Sequence, residues 1–556
     1  MHALQFGKEK CCRMKKILRS VSLLLAFVFA VSLLAACDTV EQARESESAG
    51  SGGAAVVSIG AECVSGVLEE TVSDVAESTI SESPAVSEAA EGGFPDIYRD
   101  WCGMTVDILA ASCGGHSLYE YGVSGLKDES HADAISTAFR QRAERIEREY
   151  GLVAEVTLTE GIGEAADTIL QQHLAGLDDY QLVADGLFFL LQPNMAGVLQ
   201  DFYEIGEGCL DLGADYWDQD AVRALTYDGR LTVLTGDAVA SDDAATVVLY
   251  CNRDLLEKNE LADPVELVEE GNWTVDALYE MCRQTATWVS DGFYMSFEPE
   301  DGDIWGMVCP AWTGSALMYA AEQTKTEKDA SDRPVLRLDD ARNVAAWQKI
   351  AAMLTDKSCI GVAENYGKPS AVVENMYTFF TEGSALFMPG PLSLLETGMP
   401  DCVSFSLGLL PLPKLDERQA DYISPVDAYR TTFFAVPGTN PEPAAACCLL
   451  EAMACYGKEM CSDVYLDELA DASPSEAERN MRMLASVLSR RAYDLGALYL
   501  PDEVKFGLGG FYTSLLGSST ADLLPAYESQ KDAFQAALED AAESIRQAWD
   551  NVSPGA

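Results

Sequence analysis

Apolar positions along this chain change period several times, and each change marks an element. Thr105 to Ala111 is a short, nearly continuous apolar run that ends at the loop Ser112-Cys113-Gly114-Gly115, which predicts a buried strand and its turn. Ala132, Ile135, Phe139, Ala143, Ile146 and Tyr150 then recur at helical spacing, and Leu152 to Leu158 alternates as a second strand. A helix over Glu164 to Leu174 leads to a third strand over Tyr180 to Ala184. Strand, helix, strand, helix, strand predicts an α/β fold with a parallel sheet and crossover helices. The pattern resumes with a strand at Ala245 to Tyr250, helices as far as Asp356, strands at Ser384 to Met388, Ser406 to Leu410 and Thr431 to Val436, and a helix over Pro443 to Tyr456. Phe534, Leu538, Ala541, Ile545 and Trp549 line one face of a closing helix, and no period of solenoid type appears.

The first apolar run is of another kind. Lys15, Lys16 and Arg19 precede Val21 to Leu34, which has no polar face of the sort a core helix carries, and Leu34-Ala35-Ala36-Cys37 closes it with small residues. This is the layout of an export signal, too short and too cleanly ended for a spanning helix. The Leu-Ala-Ala-Cys run resembles a bacterial lipobox, which implies removal of residues 1–36, with Met14 as an alternative start, and acylation of Cys37. Asp38 to Gly93 has no aromatic residue, is rich in Ser, Ala, Gly and Glu, and holds Arg44 as its only base. Such a segment cannot bury enough apolar surface to fold firmly and reads as a flexible acidic tether. Its 56 residues would average about 40 Å end to end as a coil.

Charge narrows the partners. The first 36 residues hold six of the 37 bases and one of the 90 acids, leaving 31 against 89 and a net charge of −58 on the processed chain. Nucleic acid, whose phosphates demand a basic surface, is excluded, and so is anionic lipid beyond the anchor. A neutral solute meets no repulsion, whereas a polyanion would need a local basic pocket that no Lys/Arg cluster in the sequence advertises.

Thirteen cysteines follow Cys37, scattered singly except for Cys447 and Cys448, with no C-x-x-C pair, so a zinc site is not expected. Many thiols in an exported chain point to an anoxic habitat, with a disulfide among them equally open. Gly161-Ile-Gly163-Glu-Ala-Ala166 matches G-x-G-x-x-A, with Asp185 about 20 residues further on. It does not follow the first strand, and nicotinamide cofactors are absent outside cells, so no cofactor is expected. No H-E-x-x-H, G-x-S-x-G or P-loop is present. With 89 carboxylates, accidental pairs suited to glycoside hydrolysis are guaranteed, so a lipid-anchored extracellular glycan hydrolase stays as the alternative to a binding protein.

Five pieces in order resemble one family: Tyr180-Gln-Leu-Val-Ala-Asp185; Val247-Val-Leu-Tyr250-Cys-Asn252-Arg-Asp254-Leu-Leu; Trp273-Thr274-Val-Asp276-Ala-Leu278; Phe380-Thr-Glu-Gly383-Ser-Ala385-Leu-Phe-Met-Pro-Gly390-Pro391; and Gly408-Leu-Leu-Pro411-Leu-Pro413. Together they resemble the bacterial extracellular solute-binding proteins of ABC importers, carbohydrate-type family 1. Arg253 stands where Lys is usual, Ala277 where an acid is usual, and Cys461 to Tyr499 reads as an insertion. The resemblance implies a two-lobed periplasmic-binding-protein-like fold of type II. Each lobe would be a mixed, mostly parallel sheet flanked by helices, with crossover hinge strands near Asp242 to Thr246 and Pro413 to Asp427. It also implies a first lobe of residues 94–245 plus about 425–500, and a second of 246–424 plus about 501–556.

Ligands of open α/β sheets lie beyond the carboxyl ends of the strands, where connectivity reverses. That rule places Ser112, Gly114 and Asp185 at the cleft, with Asp185 either accepting from ligand hydroxyls or capping the helix that begins near Leu187. Trp305 and Trp312 lie in a segment the family uses to present aromatics, and sugar C–H faces stack on flat rings; core burial is the alternative for both. Gly390 precedes a position that faces ligand in the family, filled here by Leu392 or Ser393. Tyr429 and Arg430 stand beside the second crossover, with Arg430 either fixing a ligand oxygen or forming an ion pair. Trp273 and Thr274 read as a staple and cap of their helix, and Trp217 as a surface-loop aromatic. The expected protein is a non-enzymatic receptor, lipid-anchored on the extracytoplasmic face of the cell membrane. It would need neither metal nor cofactor, capture a small solute, in the first instance an oligosaccharide, by hinge closure, and deliver it to permease subunits.

Overall fold

The computed structural model describes residues 101–111, 134–289, 295–298, 301–366, 376–396, 399–499, 508–517 and 522–552. The lipobox, Cys37, the tether, Ser112 and Gly114 lie outside the described residues.

The first sheet grows from the predicted βαβαβ series. β1 (Met104–Ala110), α1 (Ala134–Tyr150), β2 (Leu152–Leu158), α2 (Glu164–Ala175), β3 (Leu182–Gly186) and α3 (Leu187–Met195) follow one another closely along the chain. The apolar stripe of α1 buries Ile135, Phe139, Ile146 and Tyr150 as its periodicity demands. β1 pairs in parallel with both β2 and β3.

The second sheet contains β4 (Val247–Asn252), β5 (Trp305–Cys309), β6 (Ile360–Val362), β7 (Ala385–Pro391) and β8 (Leu407–Leu410), and α4 (Thr313–Ala320) follows β5. Its order is β8-β4-β7-β5-β6, with β4 antiparallel to both its neighbours and β5 parallel to β6 and β7. β5 was not foreseen as a strand. β9 (Thr432–Ala435) returns to the first sheet, antiparallel to β3, completing the order β9-β3-β1-β2. The expected fold class, two mixed α/β sheets flanked by helices and joined by crossover strands, is the observed one; the first sheet is mostly parallel as expected, while the second divides evenly between parallel and antiparallel pairings.

Two crossovers run side by side. Thr246 bridges Val426 in antiparallel fashion, and the Asp427 amide donates to the Ala245 carbonyl at 3.0 Å. Both fall inside the expected hinge segments. A third connection, Arg491–Ala492, pairs in parallel with Ser424–Pro425.

Each sheet packs on its own hydrophobic core, one around Ile108, Val183 and Phe433, the other around Met307, Trp347 and Phe387, and a third cluster joins Ile135 and Phe139 of α1 to Tyr250, Trp305 and Leu409 of the second sheet. The C-terminal residues are shared between these cores rather than divided at one point. Met483 joins the second core, while Phe534 and Leu538 of the helix Lys531–Val552 join the second and Ile545 and Trp549 of the same helix join the first.

Among the described residues no helix is long and apolar enough to cross a membrane, and no cluster of His, Cys, Asp and Glu could hold a metal ion. Among the described residues Cys251, Cys282, Cys309, Cys359, Cys402, Cys447, Cys448, Cys455 and Cys461 are free thiols.

Candidate ligand cleft

The carboxyl ends of β1, β2 and β3 form one edge, and β9, running the other way, begins at that same edge. Gly186 ends β3, and the first two amides of α3 are satisfied by the crossover: Leu187 donates to Thr431 at 3.1 Å and Phe188 to Ala428 at 2.9 Å. This clamps Phe188 beside Tyr429. The two rings stack with centroids 4.5 Å apart, and Phe189 meets Tyr429 edge-on at 5.8 Å. Two glycines permit the approach. A Cβ on Gly186 would lie 2.3 Å from the Tyr429 carbonyl oxygen, and one on Gly163, which has φ +86°, would lie 2.7 Å from the Phe189 ring. Tyr429 itself is 50% exposed. Phe188 and Phe189 escaped the sequence reading, although their position directly after a strand end was the available signal.

Asp185 faces the other way. Its side chain is completely buried, and its two oxygens accept from the amides of Gly163 and Ala166, both at 3.0 Å, and from Gly186 at 2.7 Å. The carboxylate thus caps α2, not the helix after Leu187, and has no surface to offer a ligand. Burial pushes its pKa up to about 6, against the pull of those three amides. The G-x-G-x-x-A match is explained at the same time: the helix amides that would cradle a phosphate are occupied by Asp185. Arg430, half exposed, pairs with Asp427 at 3.3 Å, the ion-pair alternative.

In the second sheet, β5, β6, β7 and β8 end at an edge beside the crossovers, as the bond from the Leu392 amide to the Thr246 carbonyl at 2.9 Å shows for β7. Trp305 begins β5 and is fully buried among Phe297 and Tyr366, its Nε1 donating to the Ser296 carbonyl at 2.8 Å. It is a core residue, and the platform role considered for it falls away. Trp312, just past the strand end and just before α4, is 37% exposed. Beside it, exposed Glu364 follows β6, and both its carboxylate oxygens accept from the Ala311 amide at 2.9 Å. A surface carboxylate held next to an exposed indole was not foreseen. Gly390 lies inside β7 and is buried; a Cβ there would lie 2.6 Å from Leu394, so its smallness serves packing. Leu392 and Ser393 are buried too.

Two other aromatics were misplaced or extended by the fold. Trp217 is buried rather than a loop-surface residue, because Glu451 receives its Nε1 at 3.3 Å. Trp273 is buried with Nε1 donating to Pro411 at 2.9 Å, while Thr274 caps its helix by accepting from Ala277 at 3.3 Å, as expected. Folding also gathers bases that are distant in sequence. Arg342, Lys349 and Arg418 line a depression of roughly 460 Å³, where Lys349 and Arg418 are already paired with Asp276 and Asp416.

The edges therefore offer Tyr429 stacked on Phe188 from one lobe and Trp312 with Glu364 from the other. Flat rings with few charges suit a neutral ligand with C–H faces and hydroxyls.

No protein-family model matches the chain, and no curated protein matches it in sequence. Among solved structures it is similar to the ABC substrate-binding protein Lmo0181 from Listeria monocytogenes in complex with cycloalternan, at 15% identity over 80% of this chain and 98% of that one, with a TM-score of 0.46. It is similar to UgpB from Mycobacterium tuberculosis in complex with glycerophosphocholine, at 15% identity over 79% and 99% of the two chains, with a TM-score of 0.49. It is also similar to the cyclic alpha-maltosyl-1,6-maltose binding protein from Arthrobacter globiformis, at 11% identity over 81% and 98%, with a TM-score of 0.48.

Proposed function

We propose that this chain is the solute-binding receptor of an ABC importer, held on the extracytoplasmic face of the membrane by acyl groups on Cys37. It captures a small neutral, hydroxylated solute, an oligosaccharide above all, and hands it to permease subunits without transforming it. The observation that carries this reading is the meeting of paired crossovers, Thr246 with Val426, beside sheet edges that expose Tyr429 on one lobe and Trp312 on the other. A ligand touching both rings binds the closed arrangement more tightly than the open one, and this difference in affinity is what drives closure. Glu364 supplies acceptors for hydroxyls at the Trp312 rim.

A thermal-shift screen of the purified chain against linear and cyclic oligosaccharides, polyols and short peptides tests the proposal. A raised melting temperature with one neutral sugar class, and recovery of that sugar intact, is the expected result. Appearance of cleavage products would instead support the hydrolase alternative.

A further inference from the structure

A hairpin of the second lobe reaches the first lobe. Thr326–Lys328 pairs antiparallel with Pro334–Leu336, and the hairpin is rooted in the second core through Leu336 and fully buried Leu338. On its far side Lys328 Nζ donates to the carbonyl oxygens of Arg223, at 2.6 Å, and Thr226, at 2.8 Å. Arg333 grips Asp228 with a fork of bonds, 3.1 Å from Nε and 2.9 Å from Nη2 to each carboxylate oxygen. Residues 223–228 belong to the first lobe, whose core holds Leu225 and Tyr227.

The third connection is taut in the same region. Tyr493 donates its hydroxyl to Asp218 of the first lobe at 2.7 Å, while the next residue, Asp494, accepts from the Lys325 amide at 2.7 Å and the Thr326 hydroxyl at 2.6 Å at the hairpin's base. Two adjacent residues are thus fastened to opposite lobes, leaving no slack between them. Rotation of the lobes about Thr246 and Val426 therefore pulls on this strap, on the buried bond from the Gly496 amide to Thr326, and on the Lys328 and Arg333 contacts. Those last contacts are partly exposed polar bonds, the cheaper to break.

We propose that the hairpin Thr326–Leu336 is a clasp, and that Lys328 and Arg333 set how far the lobes separate when the cleft is empty. The proposal rests on the two-lobed receptor reading for its purpose, but its test needs no ligand. Small-angle scattering of the ligand-free full chain compares wild type with Arg333→Asp, Lys328→Ala, Asp228→Arg and the exchanged pair Arg333→Asp/Asp228→Arg. Either Arg333→Asp or Lys328→Ala is expected to enlarge the radius of gyration, with the open-to-closed ratio rising by up to about fivefold, the upper range for an exposed pair. The exchanged pair, with its attraction restored, is expected to return to the wild-type value. Amide exchange of β1 and β7, unchanged in every variant, separates a loosened clasp from a damaged fold. Wild-type scattering for Arg333→Asp with the fold intact, or an exchanged pair as open as the single variants, overturns the clasp. Failure of every sugar to bind would sink the receptor reading and leave this result readable.

Discussion

The two sheet edges solve the same problem with opposite side chains. At the first edge the carboxylate, Asp185, turns inward to serve three backbone amides, and the aromatic, Tyr429, turns outward. At the second, the carboxylate, Glu364, stays at the surface, and two tryptophans seven residues apart divide between core and solvent. Residue type alone does not decide which group reaches a ligand. The decision falls to the local backbone: Asp185 and Trp305 lie within central strands and are buried on both faces, whereas Trp312 and Glu364 stand in the loops after β5 and β6 and Tyr429 in the crossover ahead of β9.

Exchanging inner and outer residues breaks this comparison most visibly at the tryptophans. Trp305→Ala should destabilise the chain by about 3–5 kcal/mol through the cavity it leaves, measured by denaturant unfolding. Trp312→Ala should change stability by less than about 0.5 kcal/mol. Equal losses from both would erase the distinction.

Asp185→Ala should cost about 3 kcal/mol, since it strands two amides at the start of α2 and a third at the end of β3, without altering the affinity of the molecules that remain folded. Its pKa is raised, so the folded chain takes up a proton more readily than the unfolded chain. The contribution is therefore fully favourable below the unfolded value of 3.8 and is lost as pH rises toward about 6. Asp237, pushed up to about 6, and Glu396, to about 7, act with the same sign, both through burial. Unfolding free energy measured from pH 4 to 7 should show Asp185→Asn removing part of that decline. A variant with the wild-type slope would contradict the buried placement.

The outward groups sharpen the comparison through binding. Tyr429→Ala and Trp312→Ala should each weaken the sugar by about tenfold, or ~1.4 kcal/mol, in calorimetric titration with little change in stability. Glu364→Gln keeps the shape and removes the charge, so a loss of about threefold to fivefold is expected for hydroxyl donors, within the range of one hydrogen bond. Unaltered affinity in Glu364→Gln would remove this residue from the contact set.

Much of the fold was legible because the buried strands β1 and β9 read as apolar runs and the half-exposed edge strand β2 as an alternation, and all three stand within a residue or so of their expected positions. β5 was not legible. Trp305-Gly-Met-Val-Cys309 carries one β-branched residue and a glycine; it pairs with β6 and β7 in the sheet, and Gly306 lets the Cys282 backbone come within 2.4 Å of where a Cβ would be. That is a tertiary contact no local propensity reports. Trp217 was misread for a related reason, since its partner Glu451 lies 234 residues away. The inward turn of Asp185 did leave a trace. The glycine-rich start of α2 presents amides that need acceptors, and Glu164 takes those of Glu160 and Gly161 while Asp185, about 20 residues on, takes those of Gly163 and Ala166. The crossovers were visible as segments, but the clasp was not, because Lys328, Arg333 and Asp228 meet only when two lobes are assembled.

Amide hydrogen exchange of the full chain, with and without the sugar that gives the largest thermal shift, tests most directly whether one ligand is shared by both lobes. Simultaneous protection of residues 187–189 and 427–431 in the first lobe and 310–316 and 363–366 in the second is the predicted result. Protection confined to one lobe, or to surfaces away from both edges, would contradict the account.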